Sequence, residues 1–267
     1  MSVNSFKKEV WESALITEFE GISLVSAVTT APTSVEGKTA HFNVLGEVAV
    51  NDYTGTVDWA ELDTTNIDLV YDNNKYFACK LKDVDKAQLA GDVMSGATRS
   101  AVYKIQKGID TTVFTEMAKA TKNVIGSATT KKQITTCDEA YDYIVDLGTL
   151  LDKNDVPAND RFVIASPEFV NLLAKDKRVI DNATVLPNGI VQGMDINGMS
   201  IAKSNNVPAN TVLAIYKGST GFGKQIDEME AMRLQDDFAD GVRGLVVYGT
   251  VNLRENAIAK LVYEITE

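Results

Sequence analysis

The residues whose types and spacing could do chemistry lie first in Gly218–Lys224, which reads GSTGFGK directly after an apolar stretch predicted to be a strand. Gly218, Gly223 and Lys224 match a phosphate-binding loop, in which backbone amides and an ammonium cradle phosphates. The next position of such a loop carries a hydroxyl for magnesium, and here it is Gln225. Asp227, Glu228 and Glu230 would set negative charge beside the phosphates, and no regular strand–helix–strand order surrounds the segment. A flexible glycine-rich loop is the expectation, with a nucleotide-binding enzyme as the alternative of a different class. His41 is the single histidine and has no second imidazole for a metal pair. Cys79 and Cys137 fall in different units, and a cysteine nucleophile would want a histidine base. The acidic pairs Asp236–Asp237 and Asp58/Glu61 sit in polar segments and read as solvated surface. We therefore expect no catalytic residues, no metal and no cofactor.

A chain of 267 residues suits one large domain or two small ones. Hydrophobic content of 45% and charged content of 24% are those of an ordinary globular protein. The net charge of -11 argues against a dedicated nucleic-acid binder, which must neutralise phosphates. Locally, the basic segment Lys119–Lys132 is the best candidate for touching nucleic acid. No apolar run reaches the ~20 residues of a membrane span, and the N-terminus lacks the pattern of a signal peptide. Two cysteines are too few for a disulfide framework. A cytoplasmic product with no membrane role is expected.

The elements that would position any site are easier to read. Trp11, Leu15, Ile16 and Phe19 predict a short helix in a polar arm. From Thr39 the pattern alternates: Ala40, Phe42 and Val44 point one way, Thr39, His41 and Asn43 the other. An acidic, turn-rich tip follows over residues 51–65, and then Ile67, Leu69 and Tyr71 alternate with polar neighbours. A lone two-stranded ribbon is marginal in water. The apolar face is therefore expected to lie on another copy of the chain, with Phe42, Val44, Trp59, Ile67, Leu69 and Tyr71 as interface candidates. Asp83 and Asp85 supply helix-start chemistry. Val93, Ala97, Ala101, Ile105, Ile109, Val113 and Met117 then recur every fourth residue, predicting one long helix over residues 85–119 packed on strands near Val246 and Val251. Further on, Tyr141, Ile144, Leu147 and Leu151 predict a second helix. Ser166-Pro167 starts a third after a buried strand, and Asn197-Gly198 marks a type I′ hairpin. Helices and strands are segregated, so the class is α+β.

This order of parts resembles the major capsid proteins of tailed bacteriophages, the Hong Kong 97-type fold. The resemblance rests on the arm, the excursion, the long helix, RFVIASPEFVNLL, GMDINGMSIAKSNNVP and the closing DDFADGVRGLVVYGTVNLRENAIAKL. It implies an N-terminal arm (residues 1–36) and an extended loop, the E-loop (37–76). It also implies a peripheral domain with a spine helix (77–135 and 236–267) and an axial domain (136–235). A structural role follows: hexamers and pentamers closing into an icosahedral head around double-stranded DNA, with assembly in the bacterial host cytoplasm and residence in the virion. Encapsulin nanocompartment shells share the fold and are the nearest alternative.

The same resemblance implies partners. The excursion begins at residue 37, too early for a long internal scaffolding extension ahead of it, so a separate scaffolding protein and a portal are expected. Packaged DNA would be held by weak, non-specific contact. Some members of the family form lysine–asparagine cross-links from the extended loop. Lys38 and Lys75 lie at the base of this one, so no cross-link is expected.

Overall fold

The structure, a computed structural model, describes residues 24–45, 64–82, 93–176, 178–179, 184–185, 190–234 and 238–266. The expected Val10–Phe19 helix, the Asp83/Asp85 helix start, Trp59 and the acidic tip up to residue 63 lie outside the described residues. A short helix α1 (Leu24–Val28) leads into β1 (Ser34–Glu36), β2 (Thr39–Leu45) and β3 (Thr64–Val70), which form a three-stranded sheet of their own. In it Phe42 pairs with Ile67 and His41 with Asp68, whose side chains meet at 2.7 Å.

Strand β4 (Asn73–Lys82) then leaves the ribbon and joins a second sheet with β12 (Thr220–Arg233) and β13 (Ala239–Asn252), in the order β12-β13-β4. The long helix α2 (Val93–Met117) follows. A larger sheet takes β5 (Asn123–Ile125), β6 (Lys132–Ile134), β7 (Arg161–Ala165), β8 (Thr184–Val185), β9 (Ile190–Ile196), β10 (Met199–Lys203), β11 (Thr211–Tyr216) and β14 (Ile258–Ile265). Two helices, α3 (Cys137–Asp152) and α4 (Pro167–Leu173), pack on it.

Local signals explain the starts of these helices. Thr136 and Glu139 form a capping box at α3, and Ser166 caps α4 with Pro167 as the first helical residue. Asn197 and Gly198 both adopt positive φ, which is what the two-residue turn between β9 and β10 requires.

The core follows the period of two. On one face of the large sheet Val163, Ala165, Val212, Ala214, Leu261 and Tyr263 meet α3 and α4. On the other, Ile164, Leu213, Ile215 and Ile258 meet α2 and α1. Helix α2 is therefore held between two sheets, since Val242, Val246 and Tyr248 of β13 close over Ile105, Ile109 and Val113. Val251, expected beside Val246, faces away from α2, because an odd step along a strand reverses the face. The last carbonyls of the helix accept bonds from strand side chains: Asn252 Nδ2 donates to Glu116 O at 2.8 Å and Lys260 Nζ to Ala118 O at 2.6 Å. These groups satisfy orphan acceptors and place a cation at the negative end of the helix dipole.

One expectation needs correction. Gly218–Lys224 is not a loop: a 3₁₀ turn (Lys217–Ser219) runs into the first residues of β12. Strand β12 pairs with β13, which in turn pairs with β4. Strand β14 pairs with β11 of the large sheet. Strand alternation predicts which face is apolar but does not name the partner strand.

Asp110, on the buried side of α2, accepts bonds from Gln106 Nε2 at 3.0 Å and from Asn206 Nδ2 at 3.1 Å, tying the helix to the β10–β11 connection. Burial pushes its carboxyl from 3.8 up to about 6, against the pull of those two hydrogen bonds. A raised folded value means the folded state binds the proton more tightly. Its contribution to stability is fully present below about pH 4 and is lost as pH rises through about 6, on the order of 2–3 kcal/mol. In Asp110→Asn this dependence should vanish: thermal melting across that window should show the wild type losing stability relative to the variant as pH increases.

Candidate assembly interface

The described residues hold no constellation for catalysis. No group of His, Cys, Asp and Glu among them could hold a metal ion. A polar cleft of about 800 Å³ is lined by Lys122, Asn154, Asp155, Arg254, Glu255 and Asn256 and contains neither cysteine nor histidine. Among the described residues no helix is long and apolar enough to cross a membrane. The site worth building is a surface.

Its foundation is the ribbon's seat on the second sheet. Ala40, Phe42, Leu69 and Tyr71 are buried together, against Val247, Val251 and Leu253 on the side of β13 that faces away from α2. The floor of this seat is bare backbone. A Cβ on Gly221 would stand 2.5 Å from Phe42 Cζ, one on Gly223 2.6 Å from Tyr71 Oη, and one on Gly249 2.4 Å from Val70 O. Here the glycines of the GSTGFGK motif find their use, because two aromatic side chains lie flat where side chains are missing. Desolvation raises the Tyr71 hydroxyl above its ordinary value.

Of the interface candidates, Phe42, Leu69 and Tyr71 are buried within their own chain, where the glycine-floored sheet offers the apolar face a partner. Ile67 is half-buried at the edge of the same cluster. Val44 continues strand β2, and Trp59 lies outside the described residues.

The uncovered apolar surface lies elsewhere. Tyr76 on β4 is 80% exposed and Phe238, between β12 and β13, is 83% exposed. Nearby, an apolar groove of about 330 Å³ is lined by Cys79, Met232, Leu234, Gly241 and Val242. Strand β4 ends the sheet order, leaving one edge without a partner strand among the described residues. Exposed aromatic side chains and a free strand edge are features of association sites. Sequence reasoning missed both aromatics. Tyr76 has the parity of the polar Asn74 and Lys80, and Phe238 falls in an acidic turn.

Comparison with known proteins identifies the class. The family model described as phage capsid protein matches residues 3–193. Among solved structures, one of Mycobacterium phage Che8 superposes with TM-score 0.66 at 22% identity, covering 85% of each chain. The capsid of Cyanophage P-SCSP1u gives TM-score 0.69 at 18% identity, over 92% of this chain and 89% of that one. A virus-like particle from Pyrococcus furiosus gives 0.58 at 16%, over 97% and 100%. No curated protein matches. The chain belongs to the phage capsid protein family. Its α+β structure has the Hong Kong 97-type fold, and its role in the virion is structural, not enzymatic: a major capsid protein that self-assembles into a shell.

The seat itself can be tested. Gly221→Val would force Phe42 off its floor, an overpacking that costs about 1–3 kcal/mol. The expected result is a lower melting temperature with early proteolytic cutting in β2 and β3, while the large sheet stays protected. Unchanged protection of the ribbon would show that Phe42 does not need the bare floor.

Proposed function

We propose that the shell built by this major capsid protein is an icosahedral head of hexamers and pentamers enclosing double-stranded DNA. We further propose that the subunits join through the outer part of the excursion and the Tyr76–Phe238 surface. The single observation that supports this reading most is the exposure of those two aromatics beside a free strand edge, on a fold similar to that of phage capsids. Fully exposed aromatics cost solvation in a lone subunit and become binding anchors once a second copy covers them. The ribbon is anchored at its base on its own sheet. That leaves the segment carrying Trp59, with Val44 and Ile67 at its root, to reach a neighbour.

Assembly in the host cytoplasm with a separate scaffolding protein and a portal completes the proposal. Like-charged subunits repel at long range, although salt screens this beyond ~8–10 Å. A basic partner would offset that repulsion while the shell closes. The shell of an encapsulin is the weaker reading, since the family match is to phage capsid protein.

Electron microscopy of the purified wild type should show uniform closed shells. The double variant Tyr76→Asp/Phe238→Asp should remain folded, with the melting of the lone subunit unchanged, and fail to close shells. Discrete small oligomers of the wild type, or normal shells of the variant, would sink the respective claim. The base lysine Lys75 lies across Gly108 of its own chain, so no covalent cross-link is proposed. Mature particles should then run as single-subunit bands on a denaturing gel, and a ladder would refute this.

A further inference from the structure

Four stretches far apart in the chain build the polar cleft of about 800 Å³: Lys122 after α2, the α3–β7 connection, Tyr216 at the end of β11, and the β13–β14 connection. Buried groups hold its walls. Arg161, 3% exposed, donates from Nε to Pro157 O at 2.7 Å, from Nη1 to Asp152 at 2.7 Å, and from Nη2 to Val156 O. Asn154 Nδ2 donates to Asn123 Oδ1 at 3.1 Å and Asn123 Nδ2 to Asn256 O at 2.8 Å, which ties one wall to the other. The backbone amides of Leu253 and Arg254 both donate to Ser219 O, at 2.8 and 3.0 Å. Such a cleft is formed before anything enters it, and its volume lies in the range of roughly 300–1,000 Å³ usual for binding sites.

The charges around it lack partners. Lys122, Arg254, Asp155 and Glu255 are exposed, and none makes an ion pair among the described residues. Lys122 belongs to the basic stretch of residues 119–132, in which Lys119 and Lys131 are already held, at 2.6 Å by Glu116 and at 3.2 Å by Glu264. Tyr216, Pro157 and Leu253 add apolar surface. The partner that fits carries both signs of charge around a large apolar side chain. The acidic tip over residues 51–65 does not: it has no lysine or arginine and would set its carboxylates against Asp155 and Glu255.

Residues 7–12 of this chain, KKEVWE, have that composition. Of the segments outside the described residues, theirs alone sets two lysines and two glutamates around a tryptophan. The chain also passes beside the cleft. Thr30 N–H donates to Thr220 O at 3.0 Å, Thr30 O accepts from Phe222 N–H at 3.0 Å, and Thr30 Oγ1 donates to Lys217 O at 2.9 Å. These partners follow directly on Tyr216 and flank Ser219, which holds Leu253 and Arg254. Leu24 therefore lies at most about 22 Å from Thr30, and the chain from Glu12 to Leu24 reaches up to about 40 Å. We infer that residues 7–12 seat in this cleft of their own subunit. Trp11 lies against Tyr216, Pro157 and Leu253, the two lysines face Asp155 and Glu255, and Glu9 and Glu12 face Lys122 and Arg254. Exposed ion pairs contribute little each, so Trp11 is the anchor and the charges set register and direction.

The test follows amide hydrogen exchange of residues 7–12 in the unassembled full-length subunit, so its outcome is independent of what the shell encloses. Reversing the cleft in Lys122→Glu/Arg254→Glu should speed exchange of these amides by about tenfold at low salt. Reversing the arm in Glu9→Lys/Glu12→Lys should do the same, and combining the two should restore protection. Both cleft substitutions are at exposed positions, and melting of the body should be unchanged. The arm variant leaves the body untouched, and so decides the matter should the cleft variant fold poorly. Equal exchange in wild type and arm variant would overturn the inference, as would a combined variant without recovery. Protection that grows with subunit concentration would assign the cleft to the arm of a second copy and would also overturn it.

Discussion

Strand β13 is covered on both faces, by α2 on one side and by the Phe42–Tyr71 ribbon on the other, and this double burial organises the rest of the subunit. A strand with one wet face can slip or bend. One sealed on both sides has its register specified twice, since a slip of one residue would exchange its two apolar sets. Even-numbered Val242, Val246 and Tyr248 serve the helix, while odd-numbered Val247 and Val251 serve the ribbon. Pairing with β12 and β4 along most of its length then places both the base of the ribbon and the root of the spine helix.

This arrangement suits a shell subunit. A protein that must close around a cavity needs a stiff body and projecting parts that meet neighbours. The stiff body here is α2 clamped between two sheets, with its terminal carbonyls held by Asn252 and Lys260. The ribbon is anchored on that body by aromatic side chains on glycine backbone. In the proposed reading the exposed Tyr76 and Phe238 are assembly contacts.

Glycines do more here than loosen the chain. Gly221, Gly223 and Gly249 are missing side chains that two aromatic rings and a leucine occupy, and Gly108 is a gap that a lysine crosses. A glycine-rich segment ending in lysine suggests phosphate chemistry when read alone. In the fold Gly221 and Gly223 face aromatic rings, and the segment is paired along β13. The same motif can serve either purpose, and only the strand pairing distinguishes them.

Much of the subunit was legible in the sequence, because hydrophobic periodicity and cap chemistry act over a few residues. The long helix, the Ser166-Pro167 start, the Asn197-Gly198 turn and the parity of Ala40/Phe42 and Leu69/Tyr71 all follow from local rules, and the order of these elements carried the resemblance to phage capsids. Partner choice was not legible. Alternation told that Phe42 and Tyr71 needed cover but not that Gly221 and Gly223, some 180 and 150 residues away in the chain, would supply it. Nor could local rules send β12 to β13 and β14 to β11, or bring Lys131 to Glu264. Periodicity is set by the chain's own backbone geometry, whereas strand partners and charge partners are set by which distant surfaces meet, and that is decided only when the whole core closes.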